Sequence, residues 1–118
     1  MSTNKPVGGA QFTPGPWVAE RDTARNAYAW KVTGAKGTVN DIARLALVDS
    51  YSQLEGNAHL IAAAPAMYAE LVAGLVLLEA SYQDMCGKYG TDSLHAQTVW
   101  ERVERTRQVI AQAEGRQG

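Results

Sequence analysis

From Gln53 onward, apolar residues recur at spacings of three and four: Leu60, Ala64, Met67, Tyr68, Leu71, Leu75 and Leu78. That period sets one stripe of a helix toward a core. Pro65 falls inside the pattern, where its missing N–H and its ring either kink a continuous helix or open a second one as its first residue. The chain is therefore expected to change direction near Ala64. After Gly87-Lys88-Tyr89-Gly90, any of Thr91, Asp92 or Ser93 can cap a last helix. Its buried stripe reads Val99, Val103, Thr106, Ile110 and Ala113, with Glu101, Arg102, Glu104, Arg105 and Gln108 outward, and it ends near Gly115.

Residues 12 to 50 follow a different rhythm. Tyr28-Ala29-Trp30-Lys31-Val32-Thr33 is rich in aromatic and β-branched side chains, and Gly34 and Gly37 supply turn chemistry after it. Ile42 to Val48 is a nearly continuous apolar run bounded by Asp41 and Asp49-Ser50, the length of a strand covered on both faces. A third short strand is expected at Trp17-Val18-Ala19, with the Arg21 to Asn26 loop following it. The fold class is thus α+β: a small N-terminal antiparallel sheet of two to three strands packed on C-terminal α-helices. At 118 residues the chain has room for one domain. We read it as a flexible N-terminus over 1–12, a sheet region over 13–50 and a helical region over 52–115.

The opposite face of the central helical stretch is apolar as well, through Ile61, Ala62, Ala69, Val72, Ala73, Val76 and Leu77. A helix apolar all round is normally buried all round, and one further helix plus a small sheet are too little to cover it. The surplus predicts self-association, as a homodimer or a larger homo-oligomer. A membrane span is the other explanation of such a stretch, but Glu70 and Glu79 interrupt the apolar run that spanning requires. No membrane partner is expected.

Composition narrows the classes further. With 46% apolar residues, 19% charged and a net charge of -1, the chain has the make-up of a soluble globular protein. A duplex-binding domain driven by counterion release is usually more basic, so nucleic acid is not an expected partner. The single cysteine, Cys86, excludes an internal disulfide and any Cys-based zinc site, and it fits a reducing compartment. With no secretory-type apolar run in the first dozen residues, a cytoplasmic location is expected.

Candidate chemistry is sparse. His59 lies four residues after Glu55, so on a helix the two share a face; a surface ion pair or a cap is the plainer reading, and a proton or metal site, which would lack a third ligand, the other. His95 reads as exposed, and Cys86 as a small apolar residue without a His or Asp partner. No Walker-type loop, nucleophile elbow or paired-carboxylate motif is present, so neither an enzyme nor a cofactor is expected. Arg21, Arg25 and Arg44 share the sheet region with Trp17, Tyr28 and Trp30. Guanidinium forks hold phosphate and aromatic faces stack on bases, which together meet the needs of a nucleotide ligand. Solvated arginines beside core tryptophans are the plainer alternative, and composition alone favours it. Arg102, Arg105 and Arg107 alternate with Glu101 and Glu104, which suits helix support through a Glu101–Arg105 pair. Asn57 precedes an almost wholly apolar stretch, where it either caps a helix or, if the helix starts near Ser52, offers its amide to a planar ligand.

Two motifs carry a resemblance. Thr13-Pro14-Gly15-Pro16-Trp17 and Asn57-Ala58-His59-Leu60-Ile61-Ala62-Ala63-Ala64-Pro65, with Ile42-Ala43 between them and Val109-Ile110-Ala111-Gln112-Ala113 after them, resemble the signature of a family of small phage and prophage proteins. Gly56 stands where that family usually has Ala, and His59 where it usually has Arg. The pattern also resembles the first-described Thoeris anti-defence family, whose members sequester cyclic ADP-ribose-type signals, and some cyclic oligonucleotides, without cleaving them. The resemblance implies a sheet plus C-terminal helices, assembled as an oligomer with ligand pockets between protomers, acting in the cytoplasm of a bacterial host. On chemistry, the residues chosen to contact the messenger are Asn57, His59, Arg44, Arg25, Arg21 and Tyr28. The competing class is a phage inhibitor that contacts a host defence protein directly, as an anti-CRISPR does.

Overall fold

The computed structural model of the protein describes residues 12–34, 41–46 and 50–116. The order of elements is β1 (Val18–Arg21), β2 (Trp30–Thr33), β3 (Asp41–Leu45), α1 (Tyr51–Ala62), α2 (Ala64–Tyr89) and α3 (Leu94–Ala113). The α+β class expected from the pattern is what forms: three antiparallel strands in the order β1-β2-β3, then three helices. The flexible stretch expected over 1–12 falls, apart from Phe12, outside the described residues, as do Gly37 and the end of the strand expected over Ile42 to Val48, at Leu47 and Val48. Two compact units form, one over Phe12–Met67 and one from Tyr68 onward.

In the first unit the sheet sorts its side chains by alternation. Trp30 and Val32 of β2 are buried, and Lys31 between them turns to the other face, near Glu20 of β1 at 3.7 Å and Asp41 of β3 at 4.0 Å. The register pairs Ala19 with Val32 and Trp30 with Leu45, so apolar residues meet on the buried face. Val32 pairs with Ala43 but Thr33 with Asp41, which leaves Ile42 as the extra residue of a bulge. Arg44 projects away from the core, so β3 is not covered on both faces as its apolar run suggested. Helix α1 lies on this sheet through Leu54 and Ala58, one turn apart, with Ile61 and Ala62 beside them. Full burial of Val32 and Leu54 stabilises the unit by about 1.5–3 kcal/mol each.

The two sequence motifs meet in this unit. Trp17 packs on the core cluster and its indole N–H donates to the Thr13 carbonyl at 3.0 Å. Gly15 lies against Pro65, so closely that a Cβ on Gly15 would stand 2.8 Å from the Pro65 Cβ. The change of direction expected near Ala64 is present: α1 closes at Ala62, and Pro65 occupies the first turn of α2, where its missing N–H costs nothing.

The second unit is built on the Tyr68–Tyr89 part of α2 and on α3. Contacts from Tyr68 to Glu114, Glu79 to Arg107 and Tyr82 to Trp100 run in opposite senses along the two helices, so the pair is antiparallel. Ser93 is the N-cap of α3, its hydroxyl accepting from the Ala96 N–H at 3.1 Å. Gly115, at φ 76°, closes the other end: its N–H donates to Gln112 O and that of Arg116 to Ala111 O, a Schellman arrangement. The buried face of α3 carries Ala96, Val103, Thr106, Ile110 and Ala111. Val99, expected there, is half-buried and Ala113 is exposed. Glu101 and Arg105 do not form the expected pair among the described residues; Arg107 instead bridges Glu104 and Glu79.

No residue of α2 is fully buried. Tyr68, Leu71, Leu75 and Leu78 of the expected stripe are half-buried, but Leu60 and Met67 are exposed. The break at Ala63 re-phases the helix, so one stripe does not run through both α1 and α2. The other face, through Ala66, Ala69, Ala73, Val76, Leu77 and Ala80, is exposed. By length and composition α2 would be able to cross a membrane, with mean hydropathy 1.3 in its most apolar window.

Candidate functional site

The loop between β1 and β2 is tightly closed by its own polar groups. The Asp22 N–H donates to Ala29 O at 2.7 Å, and the Arg25 N–H to Asp22 O at 3.0 Å. The Asp22 carboxylate is buried and accepts from Arg25 Nε at 2.7 Å, while Arg25 Nη2 donates to Trp30 O at 2.8 Å. Asn26 Oδ1 accepts from the Tyr28 N–H at 2.8 Å, an Asx turn that presents the Tyr28 ring outward. That ring stacks on Tyr51 with centroids 4.5 Å apart and planes at 24°. Tyr51 is the first residue of α1, placed there by Ser50, whose hydroxyl caps the helix through Gln53 N–H at 3.2 Å.

Between this loop, the end of β3 and the start of α1 lies a cleft of about 460 Å³. Arg25, Asn26, Tyr28 and Tyr51 form its polar and aromatic walls; Leu45 and Leu54 are among its apolar residues. Its size is within the usual range for small-molecule sites. Arg25 and Tyr28 of the six expected contact residues are brought together here. The other four do not line it.

Arg21 reaches back to its own loop, donating from Nη1 to Ala27 O at 3.1 Å, and its guanidinium lies 5.2 Å over the Trp30 ring. Arg44 is on β3 and donates from Nε to Asp41 at 2.8 Å. That hydrogen bond is the first cause holding the Asp41 carboxyl below its ordinary pKa, and it raises that of Arg44. His59 stands on α1, 3.8 Å from Glu55 on the same helix face, as the spacing of four implies, and with its ring 5.3 Å from that of Trp30. Asn57 is exposed inside α1, so it does not cap the helix; Ser50 does.

Sequence reasoning missed Tyr51, Asp22 and Asn26. The signal for Tyr51 was Ser50, a strong N-cap residue directly before it. For Asp22 it was the spacing of three to Arg25, where a carboxylate and a guanidinium can close one turn. A second cleft, of about 470 Å³, lies in the other unit beside Arg107 and Arg116. Both are engaged, Arg107 with Glu79 at 2.7 Å and Arg116 with the buried Glu114 at 2.6 Å, and no aromatic ring lines it. Glu114 also accepts from the Tyr68 hydroxyl. His95, expected to be exposed, is so, and its ring stacks on Tyr89 at 4.2 Å. Among the described residues no three His, Cys, Asp or Glu side chains are grouped to hold a metal ion.

No curated protein and no solved structure matches this chain. A family model for Salmonella phage P22 protein Y8K6 matches residues 1–117. With the match running over nearly all of the sequence, the chain is a small phage protein and belongs to the family of Salmonella phage P22 protein Y8K6.

Proposed function

We propose that this phage protein binds a nucleotide messenger of the bacterial host's immune system and sequesters it without cleaving it. The reading rests on one observation, the cleft in which the stacked rings of Tyr28 and Tyr51 adjoin the Arg25 guanidinium. Aromatic faces stack on a base, and a guanidinium edge donates to an anionic or carbonyl oxygen. Cyclic ADP-ribose-type signals are the first class to test, and cyclic oligonucleotides the second. A sponge needs no catalytic group and no cofactor, only an affinity that holds free messenger low; nanomolar binding corresponds to about 12 kcal/mol. The site of action is the host cytoplasm, with neither nucleic acid nor membrane as partner.

The working form in this proposal is a homo-oligomer. The exposed face of α2 repeats every seven residues at Ala66, Ala73 and Ala80, with Ala69, Val76 and Leu77 between. An antiparallel second copy centred near Gly74 sets Ala73 against Val76 and Leu77, small against large, in the manner of a helix seam. Another surface of the second unit supports a second reading, direct contact with a host protein, because Trp100 and Arg107 of α3 and Tyr82 of α2 lie together there. Those three residue types dominate binding hot spots.

Melting the purified protein with and without a panel of cyclic nucleotides, then recovering the ligand by chromatography, separates the readings. A raised Tm with the ligand intact is the expected outcome. An altered product would make the protein an enzyme, and no shift with any member would leave contact with a host protein as the better account.

A further inference from the structure

The arginines that drew attention to a phosphate ligand are largely spent inside the protein. Arg44 is held by Asp41, and Arg21 by the Ala27 carbonyl and the Trp30 ring. Arg25 is the one arginine at the cleft, and two of its three nitrogens are engaged, Nε by Asp22 at 2.7 Å and Nη2 by Trp30 O at 2.8 Å. Asp22 is buried directly behind it, so the pair carries no net charge toward a ligand. A site built for a diphosphate shows several uncommitted cations. Here the walls are two tyrosine rings, each more than half exposed, with Leu45, Leu54 and three alanines.

Resting on the reading that this cleft takes a nucleotide-type ligand, we infer that it grips the ligand by the base: the Tyr28–Tyr51 pair and the neutralised Arg25–Asp22 pair select an uncharged planar heterocycle, a nucleobase or nucleoside group, and leave the phosphates in solvent. Stacking supplies the hold, because every base offers a π-face. Arg25 Nη1 remains to donate to a ring nitrogen or carbonyl oxygen, and a neutral acceptor suits it as well as an anion. Binding is then nearly independent of salt, since no phosphate charge is neutralised.

Calorimetric titration of the full chain with adenosine, adenosine 5′-monophosphate and a cyclic dinucleotide tests this, at about 50 and about 500 mM sodium chloride, where screening differs strongly. The expected result is that adenosine and its monophosphate bind within about threefold of each other and change by less than about twofold between the two salt levels. Tyr51→Ala should weaken both by at least about tenfold, and Tyr51→Phe, which keeps the ring, should leave both nearly unchanged. The melting temperature of each variant, read alongside, shows that it is folded. Monophosphate or cyclic dinucleotide binding more than about tenfold tighter than adenosine, and falling with salt, overturns the inference while leaving sequestration standing. Equal loss of binding in the Ala and Phe variants also overturns it. If none of the three, nor any member of the wider cyclic panel, binds the wild-type protein, the proposed function itself fails, and this inference with it.

Discussion

Gly15 is the residue whose replacement tests the packing most directly, because the position of a side chain there is already taken by the Pro65 ring. Gly15→Ala puts a methyl 2.8 Å from Pro65 Cβ, and a proline ring cannot swing aside as a long side chain can. Overpacking of this kind costs about 1–3 kcal/mol. We expect a fall in Tm of roughly 5–10 °C by circular dichroism; an unchanged Tm would show that the loop yields freely. Both motifs were legible in the sequence, but their contact was not, since it joins positions fifty residues apart and depends on where α1 ends. The same limit applied to the candidate site. Arg25 and Tyr28 were identified by residue type, whereas Asp22, which neutralises Arg25, reads in sequence as an ordinary loop carboxylate.

Helix ends account for most of what was correct and incorrect among the elements. Thr91, Asp92 and Ser93 were equivalent candidates for the cap of α3, and Ser93 holds the place because its hydroxyl reaches the Ala96 N–H. Ser93→Ala removes that acceptor and should destabilise the protein by about 0.5–2 kcal/mol. Chemical denaturation, with the midpoint moving and the slope unchanged, is the check; no movement would mean that the turn in which the Ser93 N–H donates to Gly90 O at 3.2 Å alone fixes the start of α3. At α1 the cap lies at Ser50, upstream of the periodic pattern, and this is why Asn57 reads as a boundary in sequence yet sits mid-helix. Leu60 and Met67 were assigned to the buried stripe by a period that assumes one unbroken helix. Ala63 interrupts it, and the phase beyond belongs to α2 alone. The strands were located by composition, but the alternation that turns Arg44 away from the core was hidden in β3 by its bulge at Ile42.

At the scale of the whole molecule, the excess of apolar surface was legible because it is a matter of amount rather than of geometry: among the described residues, α2 keeps an exposed apolar face through Ala66, Ala69, Ala73, Val76, Leu77 and Ala80. Leu77, 70% exposed, is the sharpest instance. If α2 faces a second copy in the oligomer, Leu77→Glu should move the protein toward monomer in sedimentation at micromolar concentration, with helix content retained. A wild-type protein already monomeric there would overturn the self-association. How many copies such an oligomer would hold was never readable, because a heptad face fixes a contact and not a count. The contact of Gly15 with Pro65 has one last consequence, for inheritance. A recombination crossover falling between the two motifs is harmless to this contact only when the incoming head still brings a glycine to meet the proline ring. Functional mosaics of this protein should therefore keep glycine at position 15 wherever Pro65 is kept, whichever parent supplies each piece.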